Sequence, residues 1–234
     1  MKSSLVLSQT LRTLFAVGLL LFTGVSSIRA NEMDKLTDRV ETCEAILREF
    51  QADPTLSIPA EILRQARGLV VVNQVKGGLV LGIQYGYGVV LARRADGTWS
   101  IPVLIKAGEA SLGLQLGGQR AETIYIITDD ATVRRLFDGR MNIGVDARAI
   151  SGPRTYEKEK VNREILTTPV LVYNRNHGYY AGATVKTGWI DRNDSANWTL
   201  YSTPYVLPEL LYADFVRPIP EVRPLMEFVT SITR

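Results

Sequence analysis

The chain has 234 residues, 46% of them hydrophobic, with 27 Lys and Arg, 24 Asp and Glu, one Cys and one His. One cysteine excludes an internal disulfide, and one cysteine with one histidine excludes the usual zinc-ligand spacings. The formal net charge of +3 is concentrated at the start: Lys2, Arg12 and Arg29 fall in the first thirty residues, which hold no acid, so the remainder carries 24 bases and 24 acids. The domain-wide basic excess that marks a nucleic-acid binder is therefore missing.

Residues 1–30 read as a secretory signal. A basic start precedes an apolar run from Leu14 to Val25, and Ser26, Ser27 and Ala30 supply small residues for cleavage. The run is shorter than the roughly 20 residues that a spanning helix needs. Cleavage is expected near Ala30, with Ser27 as the second choice and an uncleaved anchor as the alternative. No cysteine follows the run at a lipoprotein position. The reading is an exported bacterial protein, periplasmic or secreted.

Residues 31–54 are expected to form an amphipathic helix. Met33, Leu36, Val40, Cys43, Leu47 and Phe50 recur at spacings of three and four, and Asp53-Pro54 ends the pattern. Its polar face carries six acids against three bases, the wrong sign for a helix lying on anionic lipid. It is read as packed on its own domain, residues 55–234. A second helix is expected from Pro59 to Arg67, with Gly68 as its stop.

The middle of the chain reads as β. Every odd position from Leu79 to Leu91 is apolar, with Gly78, Gly82, Gly86 and Gly88 among the even ones. Glycines along one face of a strand let a sheet bend, or let another backbone approach closely. Asp96-Gly97 signals a turn into a strand at 98–105. Further strands are expected at 111–118, 123–128 and 141–150, with a short helix over 129–137 capped by Asp129 or Asp130. Residues 170–173 and 179–190 are expected to pair as a hairpin. Short helices follow from Pro208. The class is α+β: a mainly antiparallel, Gly-rich curved sheet or partly closed barrel with an N-terminal helix and short C-terminal helices.

Catalytic chemistry finds little support. His177 sits in a turn beside Gly178, and Cys43 lies on a buried helical stripe. No G-x-S-x-G elbow, P-loop or dinucleotide fingerprint is present. Asp129 and Asp130 sit where a helix cap is expected. No catalytic residue, metal or cofactor is assigned. The remaining candidates are basic clusters: Arg93 and Arg94 beside a turn, and Arg154, Lys158, Lys160 and Arg163 in a charged connector where Glu157, Glu159 and Glu164 offset them. These six are the candidate lipid-headgroup contacts, each base adding about 1 kcal/mol at an anionic surface.

Several segments in order resemble the SYLF domain family. They are Ile58-Pro59-Ala60 to Gly68, the strand Gly78 to Gly88, Asp96 to Pro102 with Trp99, and Ser111 to Gly117 with Gly113. Gly144, Ser151-Gly152-Pro153, Tyr173 with Asn174-Arg175, and Gly178 to Gly182 complete the series. The resemblance covers roughly residues 55–200. It implies phospholipid binding without catalysis, and actin binding in fungal members. Arg154 departs from the family pattern, in which a small residue follows Gly152-Pro153. Export would separate the chain from actin and from cytosolic phosphoinositides. The expected partner is therefore an anionic phospholipid or membrane surface of the envelope, not actin and not nucleic acid. The alternative is a scaffold that binds an envelope protein without lipid.

Overall fold

The structure is a computed structural model, described here for residues 31–77, 82–111, 120–175 and 188–234. The expected signal segment, residues 112–118 of the strand expected at 111–118, and Gly113, His177, Gly178 and Gly182 lie outside the described residues. The chain divides into two compact units, 1–36 and 37–234. Of the first, residues 31–36 are helical.

The second unit opens with α1, helical residues 37–52. Val40, Cys43, Leu47 and Phe50 on its stripe are fully buried. A connection held by Asp53, whose carboxylate accepts from the Thr55 amide and hydroxyl, leads to α2 (Ala60–Gln65). Gly68 is not a helix stop but the first residue of β1 (Gly68–Gly77). A Cβ there would stand 2.8 Å from Val133 Cγ2.

Eight strands form one sheet in the order β5-β8-β3-β2-β1-β4-β7-β6. The others are β2 (Gly82–Ala92), β3 (Val103–Ser111), β4 (Arg120–Ile127), β5 (Met141–Asn142), β6 (Ala149–Ser151), β7 (Val170–Asn174) and β8 (Trp189–Arg192). Every pairing is antiparallel except β6 with β7. The centre of the sheet is β1, where Leu69 to Val72 are fully buried. Both faces of this strand are covered, so its apolar residues run on without alternation.

The expected strand at 141–150 is two strands on opposite edges of the sheet, β5 beside β8 and β6 beside β7. Residues 143–148 between them turn at Gly144, whose φ is +85°. That segment reaches at most about 24 Å when fully extended. In a flat eight-stranded sheet the edges would be about 33 Å apart. The sheet is therefore curled, and residues 141–151 strap its edges together. Gly86 and Gly88 serve the curl. A Cβ at Gly86 would overlap the Asn73 carbonyl and lie 2.8 Å from Gln74 Cα, and one at Gly88 would overlap the Val71 carbonyl.

The expected hairpin of 170–173 with 179–190 is not what the described strands form. β7 pairs with β4 and β6, while β8 pairs with β3 and β5 at the other side of the sheet.

Short helices complete the unit. Asp129 caps α3 (Asp130–Arg135), its carboxylate accepting from Thr132 N at 2.7 Å. The charged connector contains a 3₁₀ segment (Thr155–Lys160) and α4 (Arg163–Thr167). α5 (Asp194–Tyr201), α6 (Leu207–Tyr212) and α7 (Arg223–Ile232) follow β8. Beyond the last β8 pairing on β3, the Asn197 side chain takes over, accepting from Leu104 N and donating to Leu104 O.

Candidate lipid-contact surface

The six basic residues do not converge. Arg93 follows β2 at the end where Ala92, Gly68, Ile127 and Val170 stand in register. Its guanidinium donates to the carbonyls of Arg64 and Gly97, closing α2. Arg94 donates to Leu211 O and Ala213 O at the end of α6. Both are helix-terminus donors that satisfy carbonyls left free by the ending helices.

Arg154 lies at the opposite end of β7 and is 5% exposed. It donates to Leu56 O at 2.8 Å and to Asn174 O at 2.7 Å. Its guanidinium lies 5.1 Å from the Tyr173 ring centre and 6.0 Å from that of Phe50. Burial lowers its pKa, with Tyr173 and nearby carboxylates opposing, and arginine remains charged throughout. Arg154 is therefore a staple joining the α1–α2 connection to β7 and cannot also reach a headgroup. Lys160 pairs with Glu157 at 2.5 Å. Lys158 and Arg163 are exposed without an ion pair among the described residues. Exposed Glu159 and Glu164 lie among them, and the connector offers no concentrated positive charge.

The described family-motif residues are structural. The buried Trp99 indole donates to Thr233 Oγ1 at 2.8 Å, tying the β2–β3 connection to the end of α7. Pro102 O accepts from the Tyr201 hydroxyl. Gly152 packs on the Tyr173 ring and Pro153 is buried. Two carboxylates are also occupied, Asp129 as a cap and Asp146 by accepting from Asn142 N and Nδ2. No group of three metal-ligating side chains occurs among the described residues.

A different surface emerges from the strand register. Tyr85 on β2, Gly108 on β3 and Trp189 on β8 stand directly opposite one another. Gly108 has no side chain, so the flanking rings meet above it, with centres 6.3 Å apart at 71°. This edge-to-face geometry suits aromatic quadrupoles. Tyr85 is 65% exposed and Trp189 is partly exposed. The Arg140 guanidinium lies over Trp189, 4.3 Å from the ring centre. Exposed Lys106 is two residues along β3 from Gly108, on the same face. Beside it, Tyr87 accepts from Asn73 Nδ2 and lies under Arg39 at 5.2 Å.

Nothing local in the sequence announces this row. Tyr85 and Trp189 are far apart in the chain, and they meet only because two antiparallel registers align on one glycine.

The fold and this surface define an α+β domain that exposes, among other surfaces, a face of aromatic and charged side chains. A model of the Ysc84 family, described as Las17-binding protein actin regulator, matches residues 108–232. That is more than half of the chain, and the chain belongs to this family, the SYLF-domain proteins. Among curated relatives, SH3 domain-containing YSC84-like protein 1 of Bos taurus is 26% identical over 204 residues, covering 85% of this chain and 60% of the relative. The same-named protein of Homo sapiens is 26% identical over 206 residues, covering 85% and 59%. LAS seventeen-binding protein 3 of Saccharomyces cerevisiae is 28% identical over 185 residues, covering 78% and 40%. The chain thus spans 40–60% of the length of these relatives. The name of the yeast relative describes a binding protein. The family description names an actin regulator, whereas the expectation that actin is not a partner depends on residues 1–30, which lie outside the described residues.

Proposed function

We propose that this domain is a non-enzymatic phospholipid-binding module of the bacterial cell envelope, acting after export and removal of residues 1–30. The observation that carries the reading is the exposed Tyr85–Trp189 pair with Arg140 stacked on it. Tyrosine and tryptophan have an apolar body and a polar tip, which suits the boundary between headgroups and acyl chains. Arginine and lysine beside them attract anionic headgroups. Because the exported chain is formally neutral, attraction must come from such a local surface. Family membership supports a binding role, and Las17 binding is a property named for the yeast relative.

A scaffold that binds a protein partner is the second reading. It is favoured by another exposed cluster, in which Tyr205 and Phe215 have ring centres 5.5 Å apart and the Trp198 indole donates to Tyr205 O. Mass spectrometry of the protein purified without detergent separates the two. Phospholipid that co-purifies supports the first; a stoichiometric envelope protein with no lipid supports the second.

A further inference from the structure

We propose that Arg140 sets the headgroup selectivity of the Tyr85–Trp189 row, admitting anionic phosphate headgroups and turning away choline. The inference rests on the reading of the row as a contact for anionic lipid and goes beyond it to the residue that chooses the headgroup.

An exposed pair of aromatic rings can serve either of two headgroup chemistries. Their faces can hold a quaternary ammonium by cation–π attraction. Alternatively, a face can carry a guanidinium whose N–H fork is then presented to a phosphate, which it matches in a bidentate geometry. In this row the face of Trp189 already has a cation over it, the Arg140 guanidinium at 4.3 Å. A choline group would have to displace that charge or lie beside it, against like-charge repulsion.

Among the described residues, no acceptor occupies the donors of Arg140. Arg93, Arg94, Arg154, Arg175 and Arg192 all give N–H groups to protein acceptors. Arg140 is exposed and donates no hydrogen bond among the described residues. Lys106 stands on the same face, and Asp191, opposite it in register, offsets its charge, since accepting from the neutral Arg192 N leaves the carboxylate ionised. Glu122 is paired with Arg175, and exposed Asp138 precedes Arg140 by two residues. The cation presented on the Trp189 ring itself is Arg140, and its guanidinium complements a phosphate.

The test uses the processed protein as the cell exports it, with vesicles of phosphatidylcholine alone and of three parts phosphatidylcholine to one part phosphatidylglycerol. The wild type should prefer the anionic vesicles. Arg140→Ala should weaken binding to them about fivefold, the worth of one base at an anionic surface, and should leave binding to pure phosphatidylcholine unchanged or stronger. Arg140→Gln, which keeps much of the side chain, should behave likewise and guards against a folding defect in the alanine variant. An unchanged anionic preference in both variants overturns the selectivity role. If Tyr85→Ser then weakens binding to both vesicle types, the lipid reading survives that failure. A wild type that binds neither vesicle type overturns both.

Discussion

The ring of Tyr173 on β7 lies against Gly152, just beyond β6, so closely that a Cβ on Gly152 would overlap the ring, with Cε2 only 2.6 Å away. The Gly152 amide donates to Val172 O at 3.1 Å, which fixes the backbone there, and Tyr173 is fully buried. Neither side can yield. Gly152→Ala should lower stability by about 1–3 kcal/mol, the usual cost of overpacking, read as a fall in the thermal midpoint. Tyr173→Phe makes the internal comparison. The Tyr173 hydroxyl is buried without a hydrogen-bond partner among the described residues, so its removal should cost little or should stabilise.

Arg154 separates a structural cation from surface ones. Arg154→Ala leaves the Leu56 and Asn174 carbonyls without their donors. Charged hydrogen bonds are worth about 1.5–3 kcal/mol each, so the loss should reach several kcal/mol in denaturant unfolding. Lys158→Ala and Arg163→Ala, at exposed positions, should stay within about 0.5 kcal/mol of wild type. Equal effects at all three positions would refute the staple.

How much of this was readable from the chain depended on whether the cause was local. The α1 stripe was legible because a helix repeats its buried face at a fixed spacing, and Val40, Cys43, Leu47 and Phe50 are fully buried. The glycine face of β2 was legible for the same kind of reason, and Gly86 and Gly88 do abut the β1 backbone. β1 itself was overlooked, since Leu69 to Val72 are buried on both faces and show no period. The split of 141–150 escaped because its two halves belong to opposite sheet edges. The role of Arg154 depends on carbonyls 98 and 20 residues away, which a count of charges in the connector cannot reveal.

Cys43 gives a pH signature. Burial pushes its thiol up from 9.0 to about 12, against an opposing backbone hydrogen bond. The folded state thus holds its proton more tightly than the unfolded chain. The resulting stability is fully present below pH 9 and is lost as the pH rises through 9 towards about 12. Near pH 9–10, before the unfolded tyrosines ionise fully, stability should begin to fall, with a limiting slope of about 1.4 kcal/mol per pH unit. Cys43→Ala should flatten that onset in urea titrations at stepped pH. An unaltered slope would show that other groups cause it.

The central claim is that the Tyr85–Trp189 row is where this domain meets phospholipid. Co-sedimentation of residues 31–234 with vesicles of three parts phosphatidylcholine to one part phosphatidylglycerol, at low salt, tests it most directly when wild type is compared with Tyr85→Ser. Tyr85 is 65% exposed, so the substitution should leave the fold intact. Wild type should pellet with the vesicles, and less so at physiological salt, where charges are screened over about 8 Å. Tyr85→Ser should bind roughly tenfold more weakly, from about 1.5 kcal/mol of lost apolar burial. A wild type that stays in the supernatant, or a Tyr85→Ser variant that pellets equally well, contradicts the account.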